Sequence, residues 1–80
     1  MLQTSANVAQ IEQRTNQVLA AAQKDLDRLQ VATLGANSRA QYEQARGFIK
    51  NAQDALKIKN YMYAEQLANK AAAIAALLAK

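Results

Sequence analysis

Cysteine, histidine, proline and tryptophan are absent from this chain of 80 residues, and glycine occurs only twice. Without cysteine and histidine, neither a disulfide bond nor a Cys/His metal site stabilises the chain. The same absences remove the side chains that most often act as nucleophile or general base. The composition therefore predicts a helical bundle that is not an enzyme.

The carboxylates do not suggest a catalytic or metal site either. The chain has six of them, and none is spaced to pair with another for acid–base chemistry. Asp25 and Asp27 lie too close in sequence to face each other on a helix. Carboxylates alone are poor ligands for zinc. We therefore expect no cofactor, no metal and no small-molecule substrate.

The chain is short and rich in alanine. Eighty residues form one domain at most, and a domain of this size buries only about 60% of its unfolded surface. Alanine makes up about a quarter of the residues, and it favours helix while contributing little burial. Stability must therefore come from close helix packing, from oligomerisation or from a parent protein.

The charge balance is mildly basic. The net charge is +4, and charged residues make up 20% of the chain. Acidic residues lie among the basic ones, unlike the clustered positive charge of nucleic-acid-binding proteins, so nucleic acid is not favoured as a partner. No secretory leader opens the sequence. The longest apolar run, residues 71–79, is too short for a membrane span.

A first helix is predicted over residues 5–34, because apolar residues recur there at the spacing of one helix face. Thr4 or Ser5 is its predicted N-cap, and Gly35 is predicted to end it in the left-handed conformation. The face consists of Val8, Ile11, Thr15, Val18, Ala22, Leu26 and Leu29, widened by Leu19.

A second helix is predicted over residues 38–58, and Ser38 and Gln41 have the spacing of a capping box at its start. Asn60 is predicted both to end this helix and to cap the third. The apolar face of the second helix consists of Tyr42, Ala45, Phe48, Ile49, Ala52, Ala55 and Leu56.

The third helix is predicted over residues 61–79, with an apolar face formed by Tyr63, Ala64, Leu67, Ala71, Ile74 and Leu78. Two short connections make each helix antiparallel to its neighbour. The predicted fold is a single all-α domain over residues 1–80, a three-helix antiparallel up-down-up bundle with a long first helix. The larger core side chains are predicted to be Leu26, Leu29, Ile49, Leu56, Leu67, Ile74 and Leu78.

Two surface clusters each allow two interpretations. The basic face of helix 2 is a docking strip for acidic partners or a solvated face; the pattern favours the solvated face, with ion pairs at helical spacing. The predicted pairs are Arg39–Glu43, Glu43–Arg46, Lys50–Asp54 and Asp54–Lys57.

The second cluster consists of Tyr61, Met62 and Tyr63. These residues form either a platform that binds bases or peptides or a latch that covers the open end of the core, and the latch is favoured.

The end of helix 3 carries a second apolar side. Ala72, Ala73, Ala76 and Leu77 point away from the predicted core face, and a helix that is apolar all round is usually buried on more than one side. Val8 and Ile11, on first turns of helix 1 that are predicted to overhang the helix 2–3 hairpin, offer another docking surface. These six residues are the candidate interaction residues, and the partner is another protein or a second copy.

Residues 42–78 resemble one tetratricopeptide-like helical hairpin. The resemblance lies in Tyr42, Ala45, Ile49, Ala52, Ala55 and Leu56, followed by Asn60, Tyr61, Ala64, Leu67, Ala68 and Ala71. It is closest to alanine-rich hairpins of uncharacterised bacterial cell-envelope proteins and lipoproteins, in which a Gly-Asp-Tyr-like turn stands where this chain has residues 59–61. The resemblance implies a non-catalytic role and a location in the bacterial cell envelope.

The sequence thus predicts a non-catalytic structural or protein-interaction module. The first alternative is a helical subunit of a homo-oligomer or filament that uses the same faces. The second alternative is a weak, basic nucleic-acid-binding bundle.

Overall fold

The computed structural model describes the backbone of residues 3–79 and the side chains of residues 7–79. It contains α1 (Gln3–Asp27), a short 3₁₀ helix (Val31–Thr33), α2 (Ala36–Lys57) and α3 (Tyr61–Leu78). The described residues contain no strand. The predicted all-α bundle with a long first helix is confirmed. The Cα atoms span 50 × 18 × 14 Å, so the molecule is elongated along the helices.

α3 is the central helix of the bundle. It packs against both α1 and α2, whereas α1 and α2 contact each other much less. Four of its five buried residues are alanine, and such small side chains let neighbouring helices come close. The buried residues of α3 are Ala64, Leu67, Ala68, Ala71 and Ala75. Part of the apolar surface around α3 is therefore used within the chain itself.

The core combines these residues with one face of each outer helix. Three of the predicted core residues, Leu26, Ile49 and Leu67, are buried. The other four are half-buried and pack against the same cluster: Leu29, Leu56, Ile74 and Leu78. The prediction that Tyr63 belongs to the α3 core face is wrong, because half of this residue is exposed. Compared with the predicted apolar face, the buried face of α3 is rotated toward Ala68 and Ala75, because α3 lies between two neighbouring helices.

Thr15 is the one buried polar residue among those described, and its hydroxyl has no hydrogen-bond partner there. An unpaired buried hydroxyl costs about 1–3 kcal/mol. We expect Thr15→Val, which keeps the shape and removes the hydroxyl, to raise the free energy of unfolding by about 1 kcal/mol. Urea unfolding followed by circular dichroism measures this. Thr15→Ser, which keeps the hydroxyl and loses the methyl group, should instead destabilise. A less stable Val variant would show that the hydroxyl is satisfied.

One ion pair between helices shows the register of α1 relative to α3. Arg14 Nη2 lies 3.0 Å from Glu65 Oε2, and α1 and α3 run in the same direction. At about 1.5 Å per residue, this register places Asp27 level with Leu78, where α3 ends. The prediction that helix 1 continues to residue 34 is wrong, because beyond Asp27 the helix has no α3 surface to pack on. Its last turn tightens, with Leu29 N–H donating to the Leu26 carbonyl at 3.1 Å.

The connection from α1 to α2 is longer than predicted. Thr33 donates from its hydroxyl to the Gln30 carbonyl at 2.8 Å, and this local bond competes with continued helix. Gly35 is extended (φ −69°, ψ 171°) and precedes α2, so its predicted left-handed role is wrong. The predicted capping box is also wrong, because α2 begins at Ala36, before Ser38, and has no side-chain cap.

The predicted N-cap of helix 1 lies outside the described side chains. Thr4 and Ser5 fall within α1, which the structure describes from Gln3. The structure describes side chains only from Asn7 onward.

The turn from α2 to α3 has the hydrogen bonds of a Schellman motif. Lys59 N–H donates to Leu56 O at 3.0 Å, and Asn60 N–H donates to Ala55 O at 2.8 Å. The left-handed residue is Lys59, with φ of 63°, a conformation that costs a residue with a side chain about 1–2 kcal/mol. Asn60 precedes α3 as predicted but makes no side-chain cap bond, so its predicted capping role is wrong.

Gly47 lies on the exposed side of α2, and a Cβ built there meets nothing within 4 Å. We expect Gly47→Ala to raise the free energy of unfolding by about 0.5–1 kcal/mol, because alanine has the higher helix propensity. Thermal unfolding followed by circular dichroism measures this. A lower melting temperature would mean that another helix approaches the position, in a second copy or a partner.

Candidate interaction surfaces

The predicted second apolar side of α3 is narrower than the sequence suggested. Ala72 is half-buried and packs against the core. Ala73, Ala76 and Leu77 are exposed, and Leu77 is 63% exposed. We call these three residues the α3 end surface. They lie near the C-terminal end of the bundle.

Val8 and Ile11 do not join this surface. Counted from the Arg14–Glu65 pair, Ile11 is level with Met62, about 15–22 Å along the axis from residues 72–77. Both residues are half-buried, so they are partly covered within the chain rather than overhanging freely. The six candidate interaction residues therefore fall into two groups at opposite ends of the molecule.

The largest exposed apolar side chains gather at the α2–α3 turn. Ile58 is 75% exposed, Met62 63% and Tyr63 50%. Of the four exposed large hydrophobic residues in the described part of the chain, only Leu77 lies elsewhere. The latch interpretation fits Tyr61, which is half-buried, but it is wrong for Met62 and Tyr63. The sequence did not point to Ile58, because it was predicted to be the last residue of helix 2 and to lie off its apolar face; in the structure α2 ends at Lys57 and Ile58 begins the turn.

A shallow groove runs beside this turn. Ile58 and Tyr63 line it together, and the rest of the lining combines two amides, one carboxylate and one methyl group. The other lining residues are Asn51, Asp54, Ala55 and Asn60. The groove thus offers apolar walls with hydrogen-bonding groups between them.

The basic face of α2, formed by Arg39, Arg46, Lys50 and Lys57, is about half neutralised by its own acids, Glu43 and Asp54. Three of the four predicted pairs are present: Glu43–Arg46 at 3.6 Å, Lys50–Asp54 at 3.4 Å and Asp54–Lys57 at 4.0 Å. The predicted Arg39–Glu43 pair is absent from the described side chains. Arg39 instead donates to the Val31 carbonyl at 3.2 Å, because the 3₁₀ helix brings that carbonyl within its reach.

Two cations also lie over aromatic rings. The Arg46 guanidinium is 5.8 Å from the ring centre of Tyr42, and Lys70 Nζ is 5.8 Å from that of Phe48. Tyr42 and Phe48 are half-buried and pack against the core. Their faces are therefore occupied by the core and by cations of this chain, which leaves them little available to a partner.

The described side chains contain no group of three or more acidic residues placed to hold a metal ion. No helix over residues 3–79 is long and apolar enough to cross a membrane. No family model, curated protein or solved structure matches this chain, so its resemblance to tetratricopeptide-like hairpins stays a prediction from the residues alone.

Proposed function

We propose that this chain is a non-catalytic protein-interaction module that presents apolar side chains at the ends of a rigid helical bundle. The observation that carries the proposal is the exposure of Ile58, Met62 and Tyr63 within six residues of one turn. Large apolar side chains clustered at a surface mark contact sites more often than scattered ones do. The resemblance to envelope hairpins favours the bacterial cell envelope as its location.

Site-specific photo-crosslinking in the native cells tests this function. A photoreactive amino acid replaces Met62 or Leu77 in turn, and Gln53, an exposed polar residue of α2, is the control position. We expect covalent protein adducts at residue 62 or 77 and none at residue 53. Adducts with nucleic acid alone, or equal labelling at all three positions, would overturn the proposal.

A homo-oligomer is the second candidate, and the α3 end surface favours it. Ala73 and Ala76 have small side chains, so a second helix can come close, and exposed Leu77 would be buried between copies. Because each alanine contributes little burial, we expect the association to be weak.

Placing glutamate at Ala73 and Ala76 tests this candidate. We expect light scattering to show a lower mass for the double variant than for the unmodified chain at the same concentration. The helical content should stay the same, since both positions are exposed. An unmodified chain that is monomeric at ~1 mM, where even an association of about −4 kcal/mol is half populated, would exclude the candidate. An unchanged higher mass of the double variant would move the interface elsewhere.

A further inference from the structure

The α2–α3 turn combines an apolar cluster with an unusual backbone position. We call Ile58, Lys59, Met62 and Tyr63 the turn surface. Lys59 adopts the left-handed conformation with φ of 63°, where glycine is the ordinary residue. Backbone strain of this kind collects at functional sites. Lys59 thus lies between Ile58, the most exposed large apolar residue of the described chain, and the start of α3, although glycine at this position would make the turn more stable.

The charge of Lys59 is not neutralised by its neighbours. Asp54, the carboxylate of the groove, already contacts Lys50 at 3.4 Å and Lys57 at 4.0 Å. No carboxylate among the described side chains lies within ion-pair distance of Lys59. The lysine is exposed. The turn surface therefore has apolar side chains beside a positive charge that has no counterpart in the described part of the chain.

We propose that the turn surface binds a peptide segment of a partner protein that carries a large apolar side chain and, next to it, a carboxylate. The apolar side chain lies in the groove between Ile58 and Tyr63, the amides of Asn51 and Asn60 hydrogen-bond to the segment, and the carboxylate pairs with Lys59. This inference rests on the proposed interaction function and assigns it a surface and a partner chemistry.

Other occupants fit this surface less well. A second copy would bring one Lys59 toward another if the turn surfaces met, and like charges repel. An anionic membrane or a nucleic acid presents many negative charges, and some of them would meet the Asp54 carboxylate in the groove, whereas the single carboxylate of the peptide pairs with Lys59. A nucleic acid would also need flat stacking partners, whereas Ile58 and Met62 are aliphatic. The amide groups of the groove favour a peptide backbone.

The test is selection from a phage-displayed library of random peptides on the immobilised full chain. We expect enriched peptides to combine a large apolar residue with Asp or Glu. The affinities of the enriched peptides are then measured for the unmodified chain and for its variants by fluorescence anisotropy. Ile58→Ser should weaken binding about tenfold, as truncation of a central apolar contact does. Gln53→Ser, at an exposed position of α2 outside the groove lining, is the control and should leave the affinity unchanged. Leu77→Ser tests whether the other end of the bundle binds the peptide instead.

Variants of Lys59 distinguish an effect on peptide binding from an effect on stability. Lys59→Gly should raise the melting temperature, because glycine suits the left-handed position, and yet weaken binding about threefold through the loss of an exposed ion pair. Lys59→Arg should keep both the affinity and the melting temperature. If the affinity instead rises and falls with the melting temperature across these variants, the positive charge of Lys59 does not contribute to peptide binding.

The remaining outcomes show whether the turn surface, the peptide ligand or the proposed interaction function is wrong. Peptides whose binding depends on Leu77 and not on Ile58 overturn the turn surface as the site but keep the interaction function. In a second outcome no peptide is enriched, but the chain sediments with vesicles of phosphatidylglycerol and phosphatidylethanolamine or binds oligothymidylate. If Ile58→Ser abolishes that binding, the occupant of the turn surface is not a peptide. No enrichment and no binding to either probe, with no photo-crosslinked protein in cells, overturns both the inference and the proposed function.

Discussion

Leu67→Ala is expected to remove a large part of the free energy of unfolding of this chain. Leu67 is only 5% exposed and is the one large residue among the fully buried positions of α3, the helix that both others pack against. Removing a buried leucine side chain costs about 2–5 kcal/mol, whereas a domain of this size has a total stability of about 4–12 kcal/mol at typical values per residue. Urea titration followed by circular dichroism measures the loss.

Leu77→Ala is the matched control, because the same change is made in the same helix at an exposed position. Its free energy of unfolding should change by less than about 0.5 kcal/mol. Ile49→Ala, on the facing side of α2, should behave like Leu67→Ala. Equal stability of the Leu67 and Leu77 variants would mean that the core face of α3 has been assigned to the wrong side.

Ala71→Leu is expected to destabilise the bundle clearly. Ala71 is completely buried, and α3 lies between two helices, so the added carbon atoms have no space unless a neighbour moves outward. Overpacking of a well-packed core costs about 1–3 kcal/mol. Thermal unfolding and the near-ultraviolet spectrum of the tyrosines together report the loss of stability and of fixed packing.

Ala73→Leu, two residues further on the same helix, is the control for this enlargement. Ala73 is exposed, and leucine is nearly as good a helix former as alanine, so we expect no loss of stability. If Ala71→Leu is as stable as Ala73→Leu, then α3 is not closely packed and the alanines are present for helix propensity alone.

Periodicity predicted the helices well and their ends poorly. The number and order of the α-helices follow from apolar spacing, which covers many residues at once. The end of α1 depends on a neighbour instead: Asp27 is the last residue level with α3, and no local signal marks it. Ser38 and Gly35 have the residue types of a cap and a terminator, yet helix ends depend on backbone geometry that several sequences can adopt.

The candidate surfaces were only partly predictable, for a related reason. Exposed Ala73, Ala76 and Leu77 follow from the position of the core face, and the sequence identified them. The partial burial of Ala72 could not be predicted in this way. A central helix packs against two neighbours, so more of its surface is covered than in a helix with one neighbour. Ile58 and Lys59 lie in the turn, where neither period 3.6 nor the resemblance to a glycine-containing turn indicates what the side chains do.

The parallel course of α1 and α3 has a mechanical consequence. The described chain starts at the same end of the molecule as the α2–α3 turn and finishes at the other end, and the Cα atoms extend over 50 Å. A pulling force applied to Gln3 and Ala79 therefore acts along the bundle axis and slides α1 past α3, so their contacts bear the load together instead of separating one after another. A label attached after Ala79 would sit far from Ile58 and would leave the turn free for measurement.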